Sequence, residues 1–186
     1  MAIDDLIQDA ERRMHKSVEA AQGEFSTLRT GRASPALLDR VQIDYYGQQT
    51  PLKQLATISA PEPRMLTIQP FDPNSVATIE RAIQESDLGL TPSNDGKLIR
   101  LPIPQLTEER RKELVKVVRH LAEEGRVAVR NVRRDVMHDL KELVKNGDVG
   151  DDEERRAEDR VQKLTDEHVA KIEDLLKRKE AEIMEV

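Results

Sequence analysis

The run PQLTEERRKELVKVVRHLAEEGRVAVRNVRRDVMHDLKELVK, residues 104–145, decides the fold. Within it Leu114, Val118, Leu121, Ala128, Val132, Val136 and Leu143 recur at steps that keep to one face of an α-helix. Thr107 is a good N-cap, and Glu108 and Glu109 follow in the first turn, where the helix dipole favours negative charge. Asn146-Gly147-Asp148-Val149-Gly150 ends the pattern. The spacing therefore predicts a helix of about 40 residues, roughly 60 Å long at 1.5 Å per residue. A single apolar stripe on a helix that long must be covered by partners.

Two partners lie on either side. Downstream, Ala157, Val161, Leu164, Ile172, Leu175 and Ile183 mark a helix of about 34 residues. Upstream, Ile7, Ala10, Met14, Val18, Ala21, Phe25 and Leu28 mark one of about 28 residues, stopped by Gly31. Three antiparallel helices around one seam bury all three stripes. Residues 1–30 and 105–186 are thus predicted to form a three-helix bundle.

Residues 31–104 read differently. All nine prolines lie between Pro35 and Pro104, as do three of the four aromatic residues, Tyr45, Tyr46 and Phe71. Val41-Gln42-Ile43-Asp44-Tyr45 alternates with period two and ends at Tyr46-Gly47. Residues 52–58, 65–68 and 98–101 are further short apolar pieces bounded by Pro, Gly or Asn. Asp72-Pro73 reads as an N-cap and first-turn proline, opening a helix through Ile79 and Ile83 to about Ser86. The fold class predicted is α+β, with a small β/α/β domain over 31–104 inserted into the bundle. Two strands of chain then cross between the domains, near Thr30-Gly31 and Pro102-Ile103-Pro104. They form a hinge that bends without letting the domains rotate freely.

Composition narrows the function. Of 186 residues, 35% are charged, 37% hydrophobic and 2% aromatic, which suits long two-faced helices better than a compact α/β enzyme. With no Cys there are no disulfides, thiolate metal sites or cysteine nucleophiles. No apolar run exceeds three residues, so none spans a membrane as a helix. The start, Met1-Ala2-Ile3-Asp4-Asp5, is acidic where a signal peptide is basic, and a cytoplasmic protein is expected. Neither GxxxxGK[ST] nor GxGxxG occurs, and His15, His120, His138 and His168 lack zinc-site spacing. His120 and His138 fall on the side of the long helix away from its apolar stripe, as surface residues. The acidic run Asp151-Asp152-Glu153-Glu154 reads as a dipole complement at a helix start. No enzyme, no cofactor and no metal are expected.

The positive signal is basic. From Arg110 to Arg134 nine Lys/Arg stand against three acids, a net +6 in a chain whose total is −6. At 100° per residue, Arg119, Arg126, Arg130 and Arg133 fall within about 60° of one another, roughly opposite the apolar stripe. That face is either ordinary solvated surface or a phosphate-binding ridge. Arginine in place of lysine and the scarcity of local acids point to the second, and a rigid ridge suits structured RNA read through its backbone. Arg29 and Arg32 flank Gly31 as a second basic pair, which equally suits the positive charge a helix C-terminus favours. An adaptor that binds protein through the acidic third helix is the competing reading. A hydrolase would need a site that the motifs do not supply. Gly125 lies near the stripe, where it either admits a close helix or softens the bundle.

Several stretches resemble bacterial ribosome recycling factor: Leu28-Arg29-Thr30-Gly31-Arg32-Ala33-Ser34-Pro35, Asp44-Tyr45-Tyr46-Gly47, Pro51-Leu52-Lys53-Gln54-Leu55-Ala56, Ser86-Asp87-Leu88-Gly89-Leu90, residues 104–114 and residues 127–135. The resemblance runs the length of the chain. It implies an L-shaped pair of domains and a factor that binds the large ribosomal subunit after termination. With elongation factor G and its GTP hydrolysis, such a factor separates the subunits, and the third initiation factor keeps them apart. It also implies that Arg29, Arg32, Arg110, Arg130, Arg133 and Arg134 contact rRNA, with Arg119 and Arg126 on the same ridge. The inserted domain, hinged at Thr30, Gly31, Pro102 and Pro104, would be the part that elongation factor G engages. A monomer is expected, because one bundle uses all three apolar faces.

Overall fold

The computed structural model describes residues 2–185. The chain divides into two compact units: residues up to Leu28 together with those from Lys112 onward, and Arg29–Arg111. No helix among the described residues is long and apolar enough to cross a membrane.

The first unit is the bundle. Helix α1 spans Ile3–Ser26, α3 Glu108–Lys145 and α4 Asp151–Met184. Cross-helix pairs set the directions. Arg13 of α1 meets Asp135 of α3, while a Cβ on Gly125 would lie against Ala21, so α1 and α3 are antiparallel. Arg119 meets Glu180 and Arg133 meets Gln162, so α4 is antiparallel to α3 as well. Ile7, Ala10, Met14, Val18, Ala21 and Phe25 are buried on α1 at the steps read from the sequence. The helix stops at Ser26 rather than near Gly31, with Thr27 as its C-cap. Between α3 and α4, Gly147 at φ +81° ends the helix, Asp148 N–H bonding to Leu143 C=O and Gly147 N–H to Val144 C=O, each at 3.0 Å.

Gly125 turns out to admit a close approach. A Cβ there would sit 3.1 Å from Ile172 Cδ1 and 3.2 Å from Ala21 Cβ, so three helices meet closely at one position and an added methyl would make its neighbours give by a few tenths of an ångström. The two buried polar residues of α4 are satisfied by its own backbone. Thr165 donates to Val161 C=O at 2.8 Å, and His168 Nδ1 lies 2.7 Å from Leu164 C=O.

The second unit carries an antiparallel four-stranded sheet in the order β3-β4-β6-β5, and a separate hairpin β1-β2. The strands are β1 Gln42–Tyr45, β2 Gln48–Pro51, β3 Ala56–Glu62, β4 Met65–Pro70, β5 Ser93–Asn94 and β6 Ile99–Pro102. Leu66 and Ile68 of β4 and Ile99 and Leu101 of β6 point to one face, as period two requires, and helix α2 (Val76–Glu85) covers its share of the core with Val76, Ile79 and Ile83. Asp72 caps the short 3-10 turn Pro73–Ser75 ahead of α2, accepting from Asn74 N–H at 2.9 Å. This core holds no aromatic residue. Strand β2, polar and ending in Pro, and the two-residue β5 carry no alternation that would mark them beforehand.

Candidate nucleic-acid interface

The side of α3 that faces solvent follows from the side it buries. Leu114, Val118, Ala122, Gly125, Val129, Val132, Val136 and Leu140 are the buried residues, an arc of about 80° at 100° per residue. Leu121, Ala128 and Leu143, assigned to the stripe above, are only half-buried. The true centre is displaced because small residues, Ala122 and Gly125, fill the seam where neighbouring helices come closest. This corrects the expected ridge. Arg119, Arg126, Arg130 and Arg133 flank the core at roughly 60–120° from its centre rather than standing opposite it.

That position brings three of them against α4. Arg119 Nε donates to Glu180 Oε1 at 2.8 Å. Arg126, whose side chain is 16% exposed, donates to Glu123 Oε2 at 2.9 Å and to Glu173. Burial works against its charge, but these two carboxylates more than offset it and hold the guanidinium more firmly protonated than usual. Arg133 Nε donates to Gln162 Oε1 at 2.7 Å, and Gln162 Nε2 in turn donates to Asp166 at 2.9 Å. The expectation that local acids leave these arginines unbalanced is corrected for Arg119 and Arg126, to which the neighbouring helix supplies Glu180 and Glu173, whereas Arg133 meets an uncharged amide.

The outermost line of α3 is different. Lys112, Lys116, Glu123, Arg130, Arg134 and Lys141 are all exposed, and they fall within about 40° of one another, roughly 120–160° from the core centre. That is five cations and one acid, spread over about 44 Å of helix. Arg130 approaches Glu123 only at 3.7 Å, and its side chain is 56% exposed. Such a row of cations has the chemistry to bind phosphates, which an arginine grips with two parallel hydrogen bonds. Lys112 and Lys116 stand in the basic stretch counted from the sequence, and Lys141 lies beyond it; all three fall outside the expected ridge because that ridge is drawn through arginines alone. Beside this line, Arg133, Arg134, His138 and Lys141 share an open cleft with Glu158 and Asp159.

The other candidate residues belong to the second unit. Arg29 is exposed, and its Nη1 donates to Leu88 C=O at 2.7 Å. Arg32 and Arg110 are exposed, and the Arg110 N–H bonds to Thr107 Oγ1 at 3.1 Å, as the N-cap reading requires. Thr30 is buried, while Pro102 and Pro104 are exposed. Gly31 has φ +77°, and a Cβ there would meet Leu106 Cγ at 2.9 Å, so both backbone and space require glycine. The two crossing segments are tied to one turn: Ala33 N–H bonds to Pro63 C=O at 2.6 Å, and Ile103 N–H to Arg64 C=O at 2.8 Å. Among the described residues no group of His, Asp or Glu is placed to hold a metal.

A family model described as ribosome recycling factor matches residues 21–184. A ribosome-recycling factor of Rubrobacter xylanophilus is 61% identical over 180 residues, covering 97% of each chain. That of Bacillus subtilis is 57% identical over 182 residues, covering 98% of each. A solution structure of the ribosome recycling factor superposes with TM-score 0.80 at 45% identity, over 100% of this chain and 99% of that one. The T. thermophilus factor, from models with E. coli elongation factor G bound to the E. coli post-termination complex, gives TM-score 0.70 at 49% identity over 100% of each chain.

Proposed function

Because this chain belongs to the ribosome recycling factor family, we propose that it binds the large subunit of the post-termination ribosome through rRNA and, with elongation factor G and its GTP hydrolysis, splits the ribosome into subunits. The messenger RNA and tRNA are released, and the third initiation factor keeps the subunits apart. The protein acts as a monomer in the cytoplasm and catalyses no reaction itself; the energy comes from the GTPase. The second unit receives the force, working about a hinge at Thr30, Gly31, Pro102 and Pro104.

The observation that carries this reading is the outer cationic line of α3, with Arg130 and Arg134 as its arginines. Arg133 joins them with its two terminal nitrogens, since only Nε is used by Gln162. Arg119 and Arg126 then act mainly as clamps to α4. Arg29, Arg32 and Arg110 supply the contacts made from the second unit. The adaptor reading has less support, because Asp166, Glu173 and Glu180 of the acidic helix are engaged within the bundle.

Co-sedimentation with purified large subunits across a salt series tests it, wild type beside Arg130→Glu/Arg134→Glu. If about four to six phosphates are neutralised, log K falls with log salt at a slope of about −3 to −5, and the double variant loses most of the binding and flattens the slope. Equal binding by both proteins would remove the α3 line from the interface. Absence of binding by wild type would sink the rRNA reading.

A further inference from the structure

The hairpin β1-β2 turns through two residues, Tyr46 and Gly47, with Tyr45 paired to Gln48 across the turn. Both have positive φ, +49° and +84°. That is the signature of a type I′ turn, whose first central position is ordinarily filled by Asn, Asp or Gly. Tyr46 is the one non-glycine residue with positive φ among those described. An aromatic ring in left-handed backbone is unfavourable, and at 82% exposed it gains almost no burial in return.

The ring is nonetheless braced. It meets the Tyr45 ring edge-on, centroids 4.6 Å apart at 75°. The Tyr45 hydroxyl donates to Asp72 Oδ2 at 3.3 Å, while Asp72 Oδ1 accepts from Asn74 N–H at the turn that leads into α2. A line of contacts thus runs from the start of α2 through Asp72 and Tyr45 to an exposed tip. Phe71, next to Asp72 in the chain, is 67% exposed. The unit's aromatic residues all lie outside a core that is wholly aliphatic.

Backbone strain held at an exposed, braced aromatic points to a use other than folding. We infer that Tyr46 is the anchor of a protein-docking surface on the second unit, entering an apolar pocket edged by Lys or Arg on the partner. Tyrosine is a typical interface anchor, being large, rigid and polar at its tip. Charge selects the class of partner. From Gln42 to Pro51 the only charged residue is the acidic Asp44, which lines a cleft where Arg40 and Arg81 stand against Asp44, Glu85 and Asp87, and Asp72 adds a further carboxylate. A nucleic acid would find no phosphate ligand in this hairpin, and single-strand stacking platforms need a cationic groove. A cationic protein rim gains from the Asp44 and Asp72 carboxylates and from the ring faces.

The inference rests on the proposed function, in which elongation factor G is the protein that meets this unit, so that GTPase is the probe. Full-length wild type, Tyr46→Asn and Tyr46→Phe are compared in thermal unfolding, in binding to large subunits without the GTPase, and in splitting of post-termination ribosomes against elongation factor G concentration. Asn suits the turn better, so Tyr46→Asn should melt at the same temperature or higher and bind subunits as wild type does. It should need about tenfold or more elongation factor G for half-maximal splitting, the scale of a lost hot-spot aromatic. Tyr46→Phe should stay close to wild type.

Splitting by Tyr46→Asn at wild-type concentrations of the GTPase would overturn the inference. So would a lower melting temperature, which would make the ring a support of the fold, or weaker subunit binding, which would put the tip on the ribosome. If wild type fails to split ribosomes with elongation factor G, the proposed function itself fails, and that is visible before any variant is scored.

Discussion

In the bundle, Ala21, Gly125 and Ile172 come from three helices far apart in sequence and meet where a Cβ would press on both neighbours. In the inserted unit, Leu66, Ile68, Ile99 and Leu101 sit on adjacent strands, in register, with Leu66 directly opposite Leu101 and Ile68 opposite Ile99. The bundle is thus specified by periodicity sustained over long helices, and its errors are steric. The inserted unit is specified by short alternations and turn residues, and its core is a compact aliphatic cluster. Charge follows the same division. In the bundle, arginines and carboxylates pair between helices, as Arg126 does with Glu173. In the inserted unit, the Asp95 carboxylate is held by the backbone N–H groups of Leu98 and Lys97 in its own turn.

The largest expected effect bears on whether the two units fail separately. Ile68→Ala removes a fully buried side chain from the centre of the sheet and should cost about 2–5 kcal/mol. Native-state hydrogen exchange should then show the amides of β4 and β6 losing protection while those of α4 keep theirs. Equal losses in both units would mean that they unfold as one, and the contrast would not hold at the level of stability.

Gly125→Val is the matching probe of the bundle. Its Cβ would press on Ile172 and on the Ala21 methyl, which cannot move without the α1 backbone. Overpacking of this kind costs about 1–3 kcal/mol. The loss should appear in α1, α3 and α4 amides and spare the sheet. A variant as stable as wild type would show that the close approach relaxes, and that the glycine reflects something other than space.

The same position shows how far the sequence is readable. On α1 the apolar stripe from Ile7 to Phe25 is legible residue by residue, because its small residues, Ala10 and Ala21, lie on the same face as its large ones. The caps Asp72 and Thr107 were legible for a local reason, each side-chain oxygen lying two or three residues from the N–H it accepts from. On α3 apolarity misled. Leu121 and Ala128 look like core, whereas the seam runs through Ala122 and Gly125, whose burial depends on how near the other helices come. The arginine ridge was misplaced with it. Periodicity gives a helix its face only to within the width of the stripe, and the polar partners across the seam come from elsewhere in the chain. Strands β2 and β5 were hidden because pairing with a neighbour, not their own side chains, makes them strands.

The smallest expected effect tests the division of charge. The Arg13 guanidinium, bonded to Asp135 at 2.8 Å, holds that carboxyl below the ordinary carboxylate range, with Arg134 and His138 adding to it. Asp95 is also held low, first by the backbone N–H groups of Leu98 and Lys97 and then by Arg100. For both, the depressed folded value means that stability is fully present above the unfolded value of about 4 and is lost as the pH falls through the folded value. Asp135→Asn and Asp95→Asn should therefore each be less stable than wild type near neutral pH, with the difference closing as acid protonates the wild-type carboxyl. Salt separates them. Asp135 depends on a charge partner on another helix, and both groups are exposed, so ~1 M salt should erase most of its effect. Asp95 depends on fixed N–H donors in its own turn, and its effect should survive. Equilibrium unfolding between pH 2.5 and 6, at low and high salt, reads both. Equal salt sensitivity would mean that Arg100 rather than the turn holds Asp95, and that the two units manage their carboxylates alike.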